Sequence, residues 1–153
     1  MLATIGCAAD LLTKRWVFDW LGTPPQHRIH WLWEDYVGLE TSINTGALWG
    51  LGSGHTVILA GVSILATIGI IVWVAAGGAV TDRMGTLAIG LILGGVWGNL
   101  YDRLGLWGIR GVRDWILLKY GSFVWPNFNI ADSLLVCGSA LLVLHAFRGG
   151  KST

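Results

Sequence analysis

Three short polar motifs interrupt an otherwise apolar chain, and their residue types are those of acid–base chemistry. Residues 94–103, GGVWGNLYDR, close a charge-free run with Asn99, Asp102 and Arg103. Val112-Arg113-Asp114-Trp115-Ile116 follows, then Phe128-Asn129-Ile130-Ala131-Asp132, with Asp132 at the head of another apolar run, 130–147. A carboxylate at the mouth of a membrane span is costly to place, so such a residue marks a functional site by default. Asp114 and Asp132 are 18 residues apart with Gly121 and Pro126 between them, so they cannot share a helix face. They meet only if the intervening loop folds back over the top of the last span. Two carboxylates in a poorly hydrated site share one proton, and their apparent pKa values split. One can then take a proton from water while the other donates to a carbonyl, which hydrolyses an amide without a metal or a covalent intermediate. The plainer alternatives are a solvated loop charge for Asp114 and a helix N-cap for Asp132.

Other chemistries have weaker support. His27 and His30 have no Cys or carboxylate at metal-ligand spacing, so no metal is expected. His55 and His145 flank spans. Ser133 has no histidine placed to activate it. Cys7 and Cys137 lie in distant apolar segments and read as buried thiols, not a disulfide. The pairs Gly77-Gly78 and Gly94-Gly95 suit close helix packing or a turn.

The elements that must position these residues are membrane helices. Of 153 residues, 54% are hydrophobic and 12% charged, and the mean hydropathy is +0.62. The net charge of +1 gives no reason to expect nucleic acid. Four spans are predicted within one domain, 1–153: about 2–18, 56–80, 84–101 and 130–147. Asp10, Lys14 and Arg15 interrupt the first, which is not read as a cleavable signal peptide. Residues 21–55 alternate aromatic and polar side chains, predicting short strands on the membrane surface. Residues 102–129 read as a glycine-punctuated loop, and Thr81-Asp82-Arg83 as a short turn. Both long connections fall on one side, with eight of ten tryptophans near that face: Trp16, Trp20, Trp31, Trp33, Trp49, Trp107, Trp115 and Trp125.

Five motifs in order resemble the lipoprotein signal peptidase, or signal peptidase II, family. They are D-x-x-[ST]-K at Asp10–Lys14, N-x-G-A at Asn44-Thr45-Gly46-Ala47, GNxxDR at Gly98–Arg103, V-x-D-[FW] at Val112–Trp115, and FNxAD at Phe128–Asp132. The resemblance implies an all-α integral membrane protein: four transmembrane helices with a small extracytoplasmic β-rich segment between helices 1 and 2. It implies an aspartic endopeptidase that cuts prolipoproteins before a diacylglyceryl-modified cysteine, with Asp114 and Asp132 as the catalytic dyad. Asn44, Gly46, Asn99, Asp102, Arg103, Asn129 and Ala131 become supporting or substrate-contacting positions. Asp10 and Lys14 join them as a pair four apart on one helix face. Arg103 is expected partly buried beside Asp102. No cofactor is implied; the partners are prolipoproteins and membrane lipids, the chain a monomer, and the place a bacterial cytoplasmic (inner) membrane with the site toward the extracytoplasmic face.

Three features depart from the family pattern. Only nine residues precede Asp10. Arg113 stands where a small apolar residue is common, and is read as lowering the pKa of Asp114 or pointing to lipid headgroups. Arg28, Arg103, Arg110, Arg113 and Lys119 fall in the outer loops, against Arg83, Arg148 and Lys151 inside, opposite to the positive-inside rule. The competing class is a small proton-coupled transporter or channel, which also uses intramembrane carboxylates. The motif order favours the peptidase.

Overall fold

The computed structural model describes residues 1–25, 28–46, 54–76 and 83–149. His27, Ala47, Trp49, Gly77, Gly78, Thr81, Asp82 and Lys151 lie outside the described residues. The elements run α1 (Leu2–Leu21), β1 (Ile29–Trp33), β2 (Val37–Asn44), α2 (Thr56–Ala75), α3 (Arg83–Arg103), β3 (Val112–Tyr120), β4 (Phe123–Phe128) and α4 (Ile130–Gly149).

Among the described residues, three helices are long and apolar enough to cross a membrane: Thr56–Ala75, Arg83–Arg103 and, within α4, Ile130–Phe147. In α2 only Thr56, Ala60 and Ser63 are buried, while Val57, Ile58, Val62 and Leu65 are bare. An apolar surface of that extent has lipid, not water, as its natural solvent. The α1 helix matches them in length, at 20 residues, but its polarity is inverted. Asp10 and Lys14 share its buried face with Val17, Phe18 and Leu21, while Ile5, Leu12, Trp16 and Trp20 point outward. Burying the charges inward is what a helix next to lipid requires.

The α3 helix packs on α1, α2 and α4. Its glycines allow the approach. A Cβ at Gly95 would collide with the carbonyl oxygen of Ala131, and one at Gly98 would collide with the Asp10 carboxylate. Backbones this close are how helices associate without a hydrophobic driving force between them.

A four-stranded antiparallel sheet, order β1-β2-β3-β4, caps one end of the bundle. Val17, Phe18 and Leu21 from the last turns of α1 meet Leu39 of β2 and Trp115 of β3 in a small core. The β-structure is therefore not confined to the α1–α2 connection. Half of it occupies residues 112–128, where the sequence reading placed a loop. The physical reason is burial on both faces: Val112 to Trp115 and Leu117 are all buried. That gives a strand without the apolar–polar alternation that identifies half-buried ones. The glycines before and after it are its boundaries; Gly121, at φ 59, makes the β3–β4 turn. Pro126 is tolerated because β4 is an edge strand.

Candidate active site

Asp10 and Lys14 lie one helical turn apart on the buried face of α1, and the Lys14 ammonium is 2.7 Å from Asp10 Oδ2. It also donates to Asn99 Oδ1 at 2.9 Å and is paired with Asp102 Oδ2 at 3.1 Å. Both partners come from the last turns of α3, where positions three apart share a face. The other oxygen of Asp10 accepts from the backbone N–H of Ala131 at 2.9 Å. Asp10, Lys14, Asp102 and Asn129 are fully buried and Asn99 nearly so. Charges are kept in such a place only when paired on every side.

The motif at residues 128–132 folds into the start of α4. Asp132 accepts from the Asn129 backbone N–H at 3.2 Å, and the Asp132 N–H donates to Asn129 Oδ1 at 2.9 Å. This reciprocal arrangement works like a capping box, and it fixes the Asp132 side chain. Asn99 Nδ2 donates to Asp132 Oδ1 at 2.8 Å. Asn129 Nδ2 donates to Asp114 Oδ1 at 2.6 Å, with Asn99 Oδ1 at 3.1 Å and the Arg113 carbonyl at 3.3 Å also in reach. The two sequence-predicted carboxylates are thus joined through one asparagine. They reach each other from a strand and a helix start, not through a loop folded over a span.

Asp114 is 2% exposed on β3, opposite Ser42 of β2. Desolvation, and then the Asp132 charge, push its carboxyl up from 3.8 to about 7, against the opposing effects of the Asn44 hydrogen bond, Lys14 and Asn129. The expectation that Arg113 would lower this pKa, or reach lipid headgroups, is not met. Successive side chains leave a strand on opposite sides. Arg113 therefore turns away from Asp114 and closes on Asp102, through Nε at 3.1 Å and Nη2 at 2.7 Å.

Arg103 is partly buried, as expected, but its hydrogen bond is not to Asp102. Consecutive helix positions are rotated by about 100°, so Asp102 and Arg103 face different ways. Asp102 turns to Lys14 and Arg113, while Arg103 reaches Ser63 of α2 at 3.5 Å and stays within electrostatic reach of Asp132, Asp114 and Asp102. Its Nε is buried without a hydrogen-bond partner. Ser63 escaped the sequence reading because nothing in an apolar helix distinguishes one serine from a packing residue. Gly46 closes a turn, donating its N–H to Asn44 Oδ1 at 2.9 Å.

A cavity of about 590 Å³ opens beside this cluster. Asn44, Asn99, Arg103 and Asp132 form its polar end, and Trp125, Pro126, Leu135 and Val136 supply apolar wall. Asp132 lines the cavity, whereas Asp114 stands behind it through Asn129. The arrangement provides an ionisable oxygen facing the cavity, a buried carboxyl titrating near neutrality and a donor with a free hydrogen.

Comparison with known proteins agrees with this geometry. The family model described as signal peptidase (SPase) II matches residues 2–148. The lipoprotein signal peptidase of Rhodopirellula baltica is 44% identical over 155 residues, covering 95% of this chain and 70% of that protein. That of Clostridium novyi is 32% identical, covering 99% of this chain and 98% of its own. A bacterial membrane enzyme solved by the in meso method at 2.3 Å shares the fold with a TM-score of 0.82, at 22% identity, over 99% of this chain and 88% of that one. With apolar helices, an inward-facing polar cluster and a family match over nearly its whole length, this multi-pass membrane chain belongs to the signal peptidase II family, the proteases of lipoprotein signal-peptide processing.

Proposed function

We propose that this chain is an aspartic endopeptidase with Asp114 and Asp132 as its dyad. On this reading it is a single membrane-embedded domain with four transmembrane helices, α1 included. It would lie as a monomer in a bacterial cytoplasmic membrane with the sheet and dyad toward the extracytoplasmic face. It would cut a prolipoprotein before the lipid-modified cysteine, whose acyl chains suit the apolar wall of the cavity. The observation that carries the reading is the Asn129 bridge, which joins Asp132, at the polar end of the cavity, to Asp114 behind it.

The steps follow from the environments of the two groups. Asp132, at the cavity wall, takes a proton from water as the water oxygen attacks the peptide carbonyl carbon. Asp114 carries the shared proton and gives it to the carbonyl oxygen, forming a neutral gem-diol. Collapse breaks the C–N bond. The proton on Asp132 passes to the leaving nitrogen, and a hydroxyl proton returns to Asp114, restoring the pair. Arg103, with its unpartnered Nε, is a donor for the substrate backbone. Asn44 and Asn129 hold Asp114, Asn99 holds Asp132, and Asp10, Lys14, Asp102 and Ala131 hold the helices in register.

The carboxylates gather at the sheet-side ends of α3 and α4, an arrangement that favours interfacial chemistry over a proton path across the bilayer. Cleavage of a lipidated prolipoprotein by the purified protein in detergent tests the reading. Release of the signal peptide with cysteine as the new N-terminus is the expected product; cleavage elsewhere, or none, overturns it.

A further inference from the structure

Arg113 is the one charged side chain of the cluster that the proposed reaction leaves without a task, and it is 5% exposed. Three of its nitrogens bind one carboxylate: its backbone N–H donates to Asp102 Oδ2 at 3.0 Å, and Nε and Nη2 donate to Oδ1 at 3.1 and 2.7 Å. Its guanidinium carbon lies 4.8 Å from the ring centre of Trp107. Trp107 is itself fixed, donating to the Gly111 carbonyl at 3.2 Å and packing edge-on against Phe18 of α1. On its other side, the Arg113 carbonyl faces Asn129 Nδ2 at 3.3 Å, the same nitrogen that donates to Asp114. The residue before Asp114 is therefore held at its N–H, its carbonyl and its side chain.

The side chain also answers a buried charge. Four carboxylates meet here: Asp10 from α1, Asp102 from α3, Asp114 from β3 and Asp132 from α4. Three cations face them, Lys14 from α1, Arg103 from α3 and Arg113 from β3. One shared proton then makes the cluster neutral. Without Arg113, Lys14 alone would be divided between Asp10 and Asp102.

We infer that Arg113 is a positioning residue for Asp114: its grip on Asp102 fixes β3 to the end of α3 and so sets where the Asp114 carboxyl stands. This rests on the reading of Asp114 and Asp132 as the dyad. A misplacement of about 1 Å at a reacting group can cost about 10²-fold in rate.

The test compares wild type, Arg113→Lys and Arg113→Met as purified full-length protein, with kcat and KM for a lipidated prolipoprotein measured from about pH 5 to 9. Arg113→Met is expected to lose about 10²-fold in kcat at little-changed KM. Arg113→Lys keeps the charge but not the planar fork, so it loses kcat too, by less. A folded Arg113→Met with wild-type kcat, or a loss confined to KM, overturns the inference. Should Arg113→Met fail to fold, Arg113→Lys decides: lowered kcat at little-changed KM supports it, and wild-type kcat overturns it. Asp114→Asn is the control. If that variant turns over, the dyad reading itself fails; if it is dead while Arg113→Met behaves as wild type, only this inference fails.

Discussion

Asp10 Oδ1 accepts a 2.9 Å hydrogen bond from the backbone N–H of Ala131, so a carboxylate midway along α1 satisfies a donor in the first turn of α4. Helix starts leave four such donors without intrahelical partners. Here one of them is bound by a side chain 121 residues away in sequence. The bond seats the helix start that carries Asp132, and Lys14 carries the same network on to Asn99 and Asp102.

Lys14→Met should therefore destabilise strongly. It leaves the buried Asp10 without a cation and Asp102 with Arg113 alone, and removing one partner of a buried pair costs about 3–5 kcal/mol. Thermal unfolding in a single detergent checks this; an unchanged Tm would show that Asp10 does not depend on its pair.

Asp114→Asn and Asp132→Asn should each abolish cleavage and leave the fold in place. An amide oxygen can still accept the Asn129 bond at 114 and the Asn99 bond at 132, the latter variant giving up only the bond from the Asn129 N–H, but an amide cannot carry the proton the reaction moves. Near-normal turnover in either variant removes that residue from the mechanism.

Cleavage should fall as pH rises through about 7, because the Asp114 carboxyl, raised by burial and by Asp132, loses its proton there. Stability should move the same way. The folded state binds this proton up to about 7 whereas the unfolded chain releases it near 3.8. Across that window the folded state holds more protons, so stability falls with rising pH. Tm measured at intervals across the window should show a downward slope that Asp114→Asn reduces; an equal slope in the variant assigns the effect to other groups.

Arg103→Ala should impair cleavage far more than Arg110→Ala. Arg103 lines the cavity with a buried, unpartnered Nε, whereas Arg110 is exposed. Losing a positioned donor to a reacting carbonyl costs about 10²–10³ in kcat, against about 0–1 kcal/mol for an exposed ion pair. Rates and Tm of the two variants measured side by side decide it, and equal damage would misplace the active-site arginine.

A chelator should leave cleavage unchanged. Among the described residues no three His, Cys, Asp or Glu side chains are grouped to hold a metal. Activity lost in chelator and restored by zinc would overturn the aspartic mechanism.

Much of this molecule was legible in one dimension. Lipid-facing α2, α3 and α4 announce themselves because an apolar run of span length needs no partner to be recognised. The residues that converge are legible too: Asp10, Asn99, Asp102, Asp114, Asn129 and Asp132 are the polar exceptions in an apolar chain, and each has its price in desolvation. Only the tertiary structure decided who meets whom. Strand β3 was hidden because burial on both faces erases alternation, and β4, exposed or half-buried throughout and carrying Pro126, shows none either. The partners of Asp102 and the direction of Arg113 were hidden for a related reason. Neighbours in sequence diverge by about 100° on a helix and point to opposite sides of a strand, so adjacency along the chain says little about contact in space. Chemistry was written in the residue types, while the pairing that sets their charges came from three helices and a sheet packed close enough to exclude water.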